Sequence, residues 1–402
     1  MLIVKKFSGT SVGDKQRMYN VANRCIEEYK KGNDMVVVLS AMGKYTDELI
    51  RMAHDMDDKP PTRELDMLLT IGEQMSVSLM AMVMHKLGVP AVSLNAFQVT
   101  MHTTSSHQNA RLKRIDTERI RRELDAHRIV IVTGFQGVDK YDDYTTLGRG
   151  GSDTTAVALA AALHADACEI YTDVDGVYTA DPRKVPNARK LKEITYDEML
   201  DLATSGAGVL HNRSVEMAKK YGVPLVVRSS LNNSEGTVVK EVVSVERMLI
   251  SGVALDTDAV RIAVLGLRDV PGVAFKVFDT LAKKNINVDV ILQSIGRAGT
   301  KDISFTVNKD DLDDAVATLE ESQERLGFKE LHSERNIAKL SIVGSGMLSN
   351  PGVAAKMFES LYNEGVNINM ISTSEIRITV LINEKDGIRA MNAVHDAFGL
   401  AD

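Results

Sequence analysis

Cysteine is almost missing from this chain. Cys25 and Cys168 are the only two in 402 residues, and neither stands at a metal-ligand or disulfide spacing. That excludes a disulfide framework or cysteine zinc cluster and points to a reducing, cytoplasmic setting. Basic charge is also in deficit: a formal net charge of −7 lacks the positive footprint of a nucleic-acid partner. The opening Leu2-Ile3-Val4 runs straight into Lys5-Lys6, so no secretory leader is expected. The most apolar helix candidate, MSVSLMAMVMHKLG, reads as too short and too polar to span a bilayer. A complete G-x-G-x-x-G is absent, as is the G-x-x-x-x-G-K-[ST] spacing, which removes the dinucleotide fingerprint and the P-loop. What remains is an ordinary globular composition, 44% hydrophobic and 26% charged. The length suits roughly two to three domains.

Up to about residue 245, short apolar runs alternate with helical patterns. MLIVKKF, MVVVLSA, AVSLNA, RIVIVTGF, CEIYTD and PLVVRSS read as strands buried on both faces, and helices are expected to begin near Asp14, Arg63, Asp116, Thr154, Thr195 and Asn212. Such alternation predicts a largely parallel sheet covered on both sides, with ligands gathering where strands end and helices begin.

The remainder is a duplication. DVPGVAFKVFDTLAKKNINVDVILQS aligns with SNPGVAAKMFESLYNEGVNINMISTS at a constant offset of 80 residues. In each copy Pro-Gly starts a helix, and a turn and a β-branched strand, INVDVI or VNINMI, follow. An offset of that size exceeds the ~20–50-residue period of solenoids and marks two copies of a small domain. The expected boundaries are 1–245, 259–332 and 337–402, with the junction in 244–258.

Several stretches carry chemistry. In KKFSGTSVGD a strand lysine, Lys6, precedes Ser8, Gly9 and Thr10, which makes either an anion site or a plain capped turn. Ser40 and Thr46 flank the end of the second strand and taken alone are ordinary strand-end hydroxyls. Glu73, in an apolar helical stretch, reads by itself as a solvated or paired carboxylate. In LGRGGSDTTA, Arg149 can grip a carboxylate with two bonds and Asp153 can meet an ammonium, a combination suited to an α-amino acid. There Gly151, Ser152 and Asp153 open a buried helix, with Ser152 and Asp153 expected to cap it. YTDVDGVYTADPRKV supplies Thr172, Asp173, Tyr178, Asp181 and Arg183 on a loop after another strand.

Taken together, KFSGTSV, LSAMGKYTDEL, GEQMS, LGRGGSDTTA, YTDVDGVYTADPR and GVLHNRSVE stand in the order and spacing of the aspartokinases, and the duplicated part resembles their paired ACT regulatory domains. The resemblance covers essentially the whole chain. It implies an amino-acid-kinase fold, three-layered αβα with a mainly parallel central sheet, followed by two α+β ferredoxin-like ACT domains. It implies ATP-dependent phosphorylation of the L-aspartate β-carboxylate, the step committing carbon to lysine, threonine and methionine. Lys6, Arg149 and Asp153 then carry catalysis. Thr10, Ser40, Thr46, Glu73, Arg149, Gly151, Ser152 and Asp153 meet aspartate, and Lys6, Ser8, Gly9, Thr172, Asp173, Tyr178, Asp181 and Arg183 meet the nucleotide. Magnesium enters with ATP, with no metal held by the protein alone. The effector site, for lysine, threonine or both, falls on Asp269, Val273, Ala274, Asn287, Val288 and Gln293, with Asn367 and Ile368 in the second copy.

Further expectations are a homodimer or higher oligomer through the ACT domains, no membrane partner, and Met248 as a candidate start for a separately translated regulatory subunit. Three positions depart from the family pattern: Ser8 for glycine, Tyr45 for a smaller residue, and Gly208-Val209 where relatives carry a lysine. Competing readings are a kinase of the same fold acting on glutamate, acetylglutamate, carbamate or a nucleotide, and a non-catalytic amino-acid sensor.

Overall fold

A computed structural model describes residues 1–242, 249–294, 296 and 299–401. The first of its two units comprises Met1–Val177, Lys190–Ala203 and Gly208–Val245. Its strands are β1 (Leu2–Phe7), β2 (Asp34–Leu39), β3 (Ala91–Leu94), β4 (Met101–Thr103), β5 (Leu112–Ile115) and β6 (Ile129–Thr133), followed by β7 (Gln136–Val138), β8 (Tyr144–Thr146), β9 (Ala167–Thr172), β10 (Glu193–Thr195), β11 (Leu225–Ser229) and β12 (Thr237–Lys240). Eight of them form one sheet in the order β10-β12-β11-β9-β1-β2-β6-β3. Every pairing is parallel except β11 with β12. The unbroken Val/Ile runs explain the centre: β6 is buried at every residue, and β2 at all but its first. Towards the margin the expectation of two covered faces fails. There β11 alternates buried and half-buried positions, as a strand with one wetter face does.

Helices α1 (Lys15–Lys30), α2 (Tyr45–Met56), α3 (Thr62–Leu69), α4 (Ile71–Lys86), α5 (Glu118–Asp125), α6 (Gly151–Leu163), α7 (Tyr196–Thr204) and α8 (Asn212–Tyr221) connect these strands. On one face of the sheet, Met18, Val21, Ala22 and Ile26 of α1 and Val77, Met80 and Met84 of α4 pack on Ile3, Phe7, Met35, Val37 and Ile131. Cys25 lies in that core and Cys168 is equally buried, both as free thiols. Burial pushes the Cys25 thiol up to about 12. The other face carries α6, buried along nearly its whole length. Four short strands, in the order β5-β4-β7-β8, make a second sheet that the sequence does not announce. By length and composition Thr62–Lys86 is apolar enough to cross a membrane, longer than the stretch judged from sequence; half of its most apolar window is buried inside the protein.

The second unit comprises Tyr178–Arg189, Thr204–Ala207 and Glu246–Asp402. It contains β13 (Gly252–Asp256), β14 (Ala259–Arg268), β15 (Ile291–Gln293), β16 (Thr300–Asn308), β17 (Glu330–Glu334), β18 (Ile337–Val343), β19 (Met370–Thr373) and β20 (Arg377–Asn383). Its helices are α9 (Val273–Ala282), α10 (Leu312–Glu321), α11 (Gln323–Leu326), α12 (Val353–Asn363) and α13 (Gly387–Ala397). The first copy builds the sheet β15-β16-β14-β17, and the second builds β13-β18-β20-β19. Strand β13 precedes the first copy in sequence yet pairs with β18 of the second, so part of the expected junction is an edge strand. Residues 178–189 also join the second copy: Ala180, Val185 and Ala188 lie in its core, and Thr179 Oγ1 sits 2.9 Å from His395 Nε2. The units thus differ from the sequence boundaries at 178–189, 204–207 and β13. The strands expected at INVDVI and VNINMI begin later, at Ile291 and Met370, after an Asn-containing stretch without regular structure.

Candidate active site

Where β1 and β2 end and α6 begins, a cleft of about 600 Å³ opens, lined among others by Lys6, Gly9, Ser40, Thr46, Glu73, Arg149, Gly151, Ser152 and Asp153. The position follows from the parallel sheet, whose strand ends leave a crevice beneath helix N-termini. Lys6 is 8% exposed, and its Nζ lies 2.7 Å from Oδ1 of Asp153. The neighbouring Lys5 points to the opposite face of the strand and pairs with Glu169 at 3.0 Å.

The start of α6 corrects one expectation. Ser152 and Asp153 are not its caps but members of its first turn; the cap is Gly150, at φ 67, and no side chain caps the helix. At that position glycine meets two demands at once: the left-handed conformation, and room for His211, whose side chain a Cβ would approach to 2.2 Å. Burial pushes the His211 imidazole below its usual value. The first-turn N–H groups that no side chain caps, with the positive end of the helix dipole, favour an anion in the cleft.

Glu73, in the first turn of α4, is 3% exposed. Its Oε1 accepts the Ala41 N–H at 3.1 Å, while among the described residues Oε2 is buried without a partner. Burial raises its carboxyl to about 8 against the opposing pull of nearby donors, its own backbone N–H, that of Ala41 and the Gln136 side chain. A buried carboxyl with one open oxygen is suited to a cationic group that enters with a ligand.

The remaining expected residues divide. Ser8 and Thr10 are not among the cleft-lining residues; the Ser8 hydroxyl is 2.9 Å from those of both Thr10 and Ser11. Thr172 donates to Asp173 at 3.0 Å at the end of β9, also outside the described lining. Tyr178, Asp181 and Arg183 belong to the second unit. Burial pushes the Asp181 carboxyl up, but bonds from Arg183 outweigh it and hold it below the usual carboxylate range. In the first regulatory copy, Asp269 is paired with Lys301 at 2.8 Å, so the carboxylate expected for an effector ammonium already holds a cation. Val273 opens α9 with its side chain in the core, and Ala274 and Val288 pack against that core. Gln293 closes the exposed edge strand β15, and Asn287 lies in the irregular stretch before it, not in a strand. In the second copy Ile368 packs on the core, and Asn367 Nδ2 donates to Asn369 at 3.3 Å. Met248 lies outside the described residues.

The family model for the amino acid kinase family matches residues 1–229, and that for the ACT domain matches 262–323 and 340–398. An aspartokinase of Geobacillus stearothermophilus is 53% identical over 402 residues, covering 100% of this chain and 98% of its own. The chain belongs to the aspartokinase family. Among solved aspartokinases, E. coli aspartokinase III in complex with aspartate and ADP, the R-state, matches at TM-score 0.87 and 25% identity over 99% of each chain. The same enzyme in complex with lysine and aspartate, the T-state, matches at 0.75 and 26%, again over 99% of each. The amino-acid-kinase fold and the tandem ACT domains are therefore those of an allosteric aspartokinase.

Motif reading of this aspartokinase chain missed a layer behind the cleft. Asp66, Gln108, Thr146 and Arg213 received no role. Gln108 and Thr146 line the cleft, while the Arg213 guanidinium donates to the carbonyls of Leu147, at 2.5 Å, and Ala110, at 2.9 Å. The available signal was Asp66 among apolar neighbours in TRELDMLL, and Arg213 inside GVLHNRSVE, a motif whose individual residues were given no roles.

Proposed function

We propose that the cleft binds L-aspartate beside the γ-phosphoryl group of ATP and transfers that group to the β-carboxylate. The observation carrying this reading is the convergence of Lys6, Glu73, Arg149 and Asp153 in one cleft under the uncapped N-terminus of α6. A carboxylate acceptor with a reference pKa of ~4 is already ionised, so no general base is required. A β-carboxylate oxygen forms its bond to the γ-phosphorus as the bond to the bridging oxygen of ADP breaks, and ADP departs with the electron pair. Catalysis then rests on alignment and on neutralising charge.

Arg149 takes the α-carboxylate, and the open Oε2 of Glu73 takes the ammonium. Asp153, already paired with Lys6, fixes that ammonium group towards the transferred phosphoryl oxygens. Ser40, Thr46, Gly151 and Ser152 complete the aspartate subsite, with Thr10 at its margin. Gly9 and Ser8 contribute to the phosphate loop, and Thr172, Asp173, Tyr178, Asp181 and Arg183 to the nucleotide. Magnesium arrives with the nucleotide, held mainly by its phosphates.

The product, 4-phospho-L-aspartate, is an activated acyl phosphate fit for the route to lysine, threonine and methionine. Lysine, threonine or both are the effectors, acting through Asp269, Val273, Ala274, Asn287, Val288 and Gln293, with Asn367 and Ile368 in the second copy. The protein works in the cytoplasm as a homodimer or larger assembly joined through its ACT domains. ADP release measured with aspartate, with glutamate and with neither, then titrated with lysine and threonine, tests the reading. Aspartate-dependent release that an effector lowers is expected; release independent of aspartate refutes it.

A further inference from the structure

We propose that Asp66 is a positioning residue for aspartate recognition, setting the loop that carries Arg149; the inference rests on the aspartate-kinase reading of the cleft. Asp66 sits on α3 with 0% exposure, and two chain segments, His107-Gln108 and the end of β8, converge on its carboxylate. Thr146 Oγ1 donates to it at 2.6 Å, His107 Nδ1 lies at 2.8 Å, and Gln108 donates through its backbone N–H at 3.1 Å and its side-chain amide at 2.5 Å. The carboxylate is acceptor-only when ionised, so the His107 nitrogen facing it carries the proton.

The arrangement continues into the cleft. Gln108 holds φ 66, a left-handed conformation that a residue with a side chain adopts only when its surroundings impose it. Asp66, bonding both the backbone and the side chain of Gln108, supplies that constraint. The carbonyl of Gln108 in turn abuts Gly148, where a Cβ would lie 2.9 Å from it. Gly148 immediately precedes Arg149, and Thr146 ends β8 two residues earlier. A buried carboxylate thus fixes both sides of the turn into Arg149 while remaining outside the cleft lining. Four donors on one buried carboxylate over-determine its geometry, as the placement of a guanidinium against a substrate carboxylate demands.

The test compares Asp66→Asn with wild type in steady-state kinetics. The amide keeps size and shape but turns an N–H pair towards donors. The aspartate KM is expected to rise roughly 10- to 100-fold while the ATP KM stays within about twofold. Thr146→Val, which removes one donor at constant shape, is expected to raise the aspartate KM less. The double variant should be no worse than Asp66→Asn, since both remove one linkage. A merely structural role would lower kcat, both affinities and thermal stability together, and that pattern overturns the proposal. So does an unchanged aspartate KM in Asp66→Asn or, should that variant not fold, in Thr146→Val. A wild-type enzyme without aspartate-dependent turnover refutes the underlying reading as well; aspartate-dependent turnover with unaltered KM in the variants refutes this inference alone.

Discussion

Lys6, Glu73, Arg149 and Asp153 reach the cleft of the first unit from three separate stretches, Arg149 and Asp153 sharing one, and meet there. The two regulatory copies of the second unit repeat one pattern at a fixed offset and differ in their charges. Asp269 and Asp289 of the first copy correspond to Ser349 and Asn369 of the second. Both first-copy carboxylates are engaged: Asp269 with Lys301 at 2.8 Å, and Asp289 with the buried Lys339, at 2.7 Å, which Asp256 also contacts at 2.9 Å. In the cleft, chemistry lies in what distant motifs bring together. In the duplication it lies where two copies of one pattern diverge.

The contrast is broken most severely at Lys6. Lys6→Ala is expected to lower kcat by roughly 100- to 1000-fold, more than it raises either KM, because charge demand peaks during transfer. Arginine there should rescue poorly, a planar fork being no substitute for a compact ammonium. Circular dichroism must show the fold intact, since the substitution leaves the buried Asp153 without its cation. Near-normal turnover would remove Lys6 from the reaction. Next in size, Arg149→Ala should raise the aspartate KM by roughly 30- to 1000-fold, about 2–4 kcal/mol, and leave nucleotide binding nearly unchanged. Initial rates over both substrates decide it.

Glu73 sharpens the comparison through pH. Its carboxyl titrates at about 8 in the folded chain against 4.5 as the ordinary value. Between those values the folded protein keeps a proton that the unfolded chain has released. The contribution of Glu73 to stability is therefore fully present below pH 4.5 and is lost as pH rises towards 8. The slope is at most about 1.4 kcal/mol per pH unit. Glu73→Gln should flatten this dependence and melt higher than wild type at pH 8 to 9. Parallel melting curves from pH 5 to 9 would show that the carboxyl is not held protonated. Smallest of all, Asp269→Ala or Asn287→Ala should relieve feedback inhibition by about 1–3 kcal/mol of coupling with uninhibited turnover preserved. Asn369→Ala in the second copy should change it less. Equal relief from both copies would erase the distinction drawn between them.

The central sheet was legible because Val36–Leu39 and Ile129–Val132 admit no wet face, and the alanine-rich α6 because its run has no polar stripe. The small sheet β5-β4-β7-β8 was not legible. Its strands span three or four residues, and MHT or YTT carries no apolar alternation. Since Thr146 sits on that sheet and Gln108 on a loop beside it, the layer behind Arg149 was hidden for the same reason. Ser152 and Asp153 looked like caps because serine and aspartate favour such positions. The left-handed Gly150 took the role, which no propensity scale ranks above them. The edge strand β13 was lost to distance in sequence, as pairing with Ile337–Val343 leaves no local trace.

That same strand governs when the chain can acquire its shape. During synthesis Gly252–Asp256 emerges before the whole first copy, and its hydrogen-bonding partner emerges only afterwards. For that interval a short apolar edge waits unpaired, open to chaperones, proteases or a neighbouring nascent chain. A polypeptide halted within residues 259–332 would carry this orphaned edge indefinitely. Ribosomal pausing there should therefore be costlier to the cell than an equal pause inside α13, after every strand has found its neighbour.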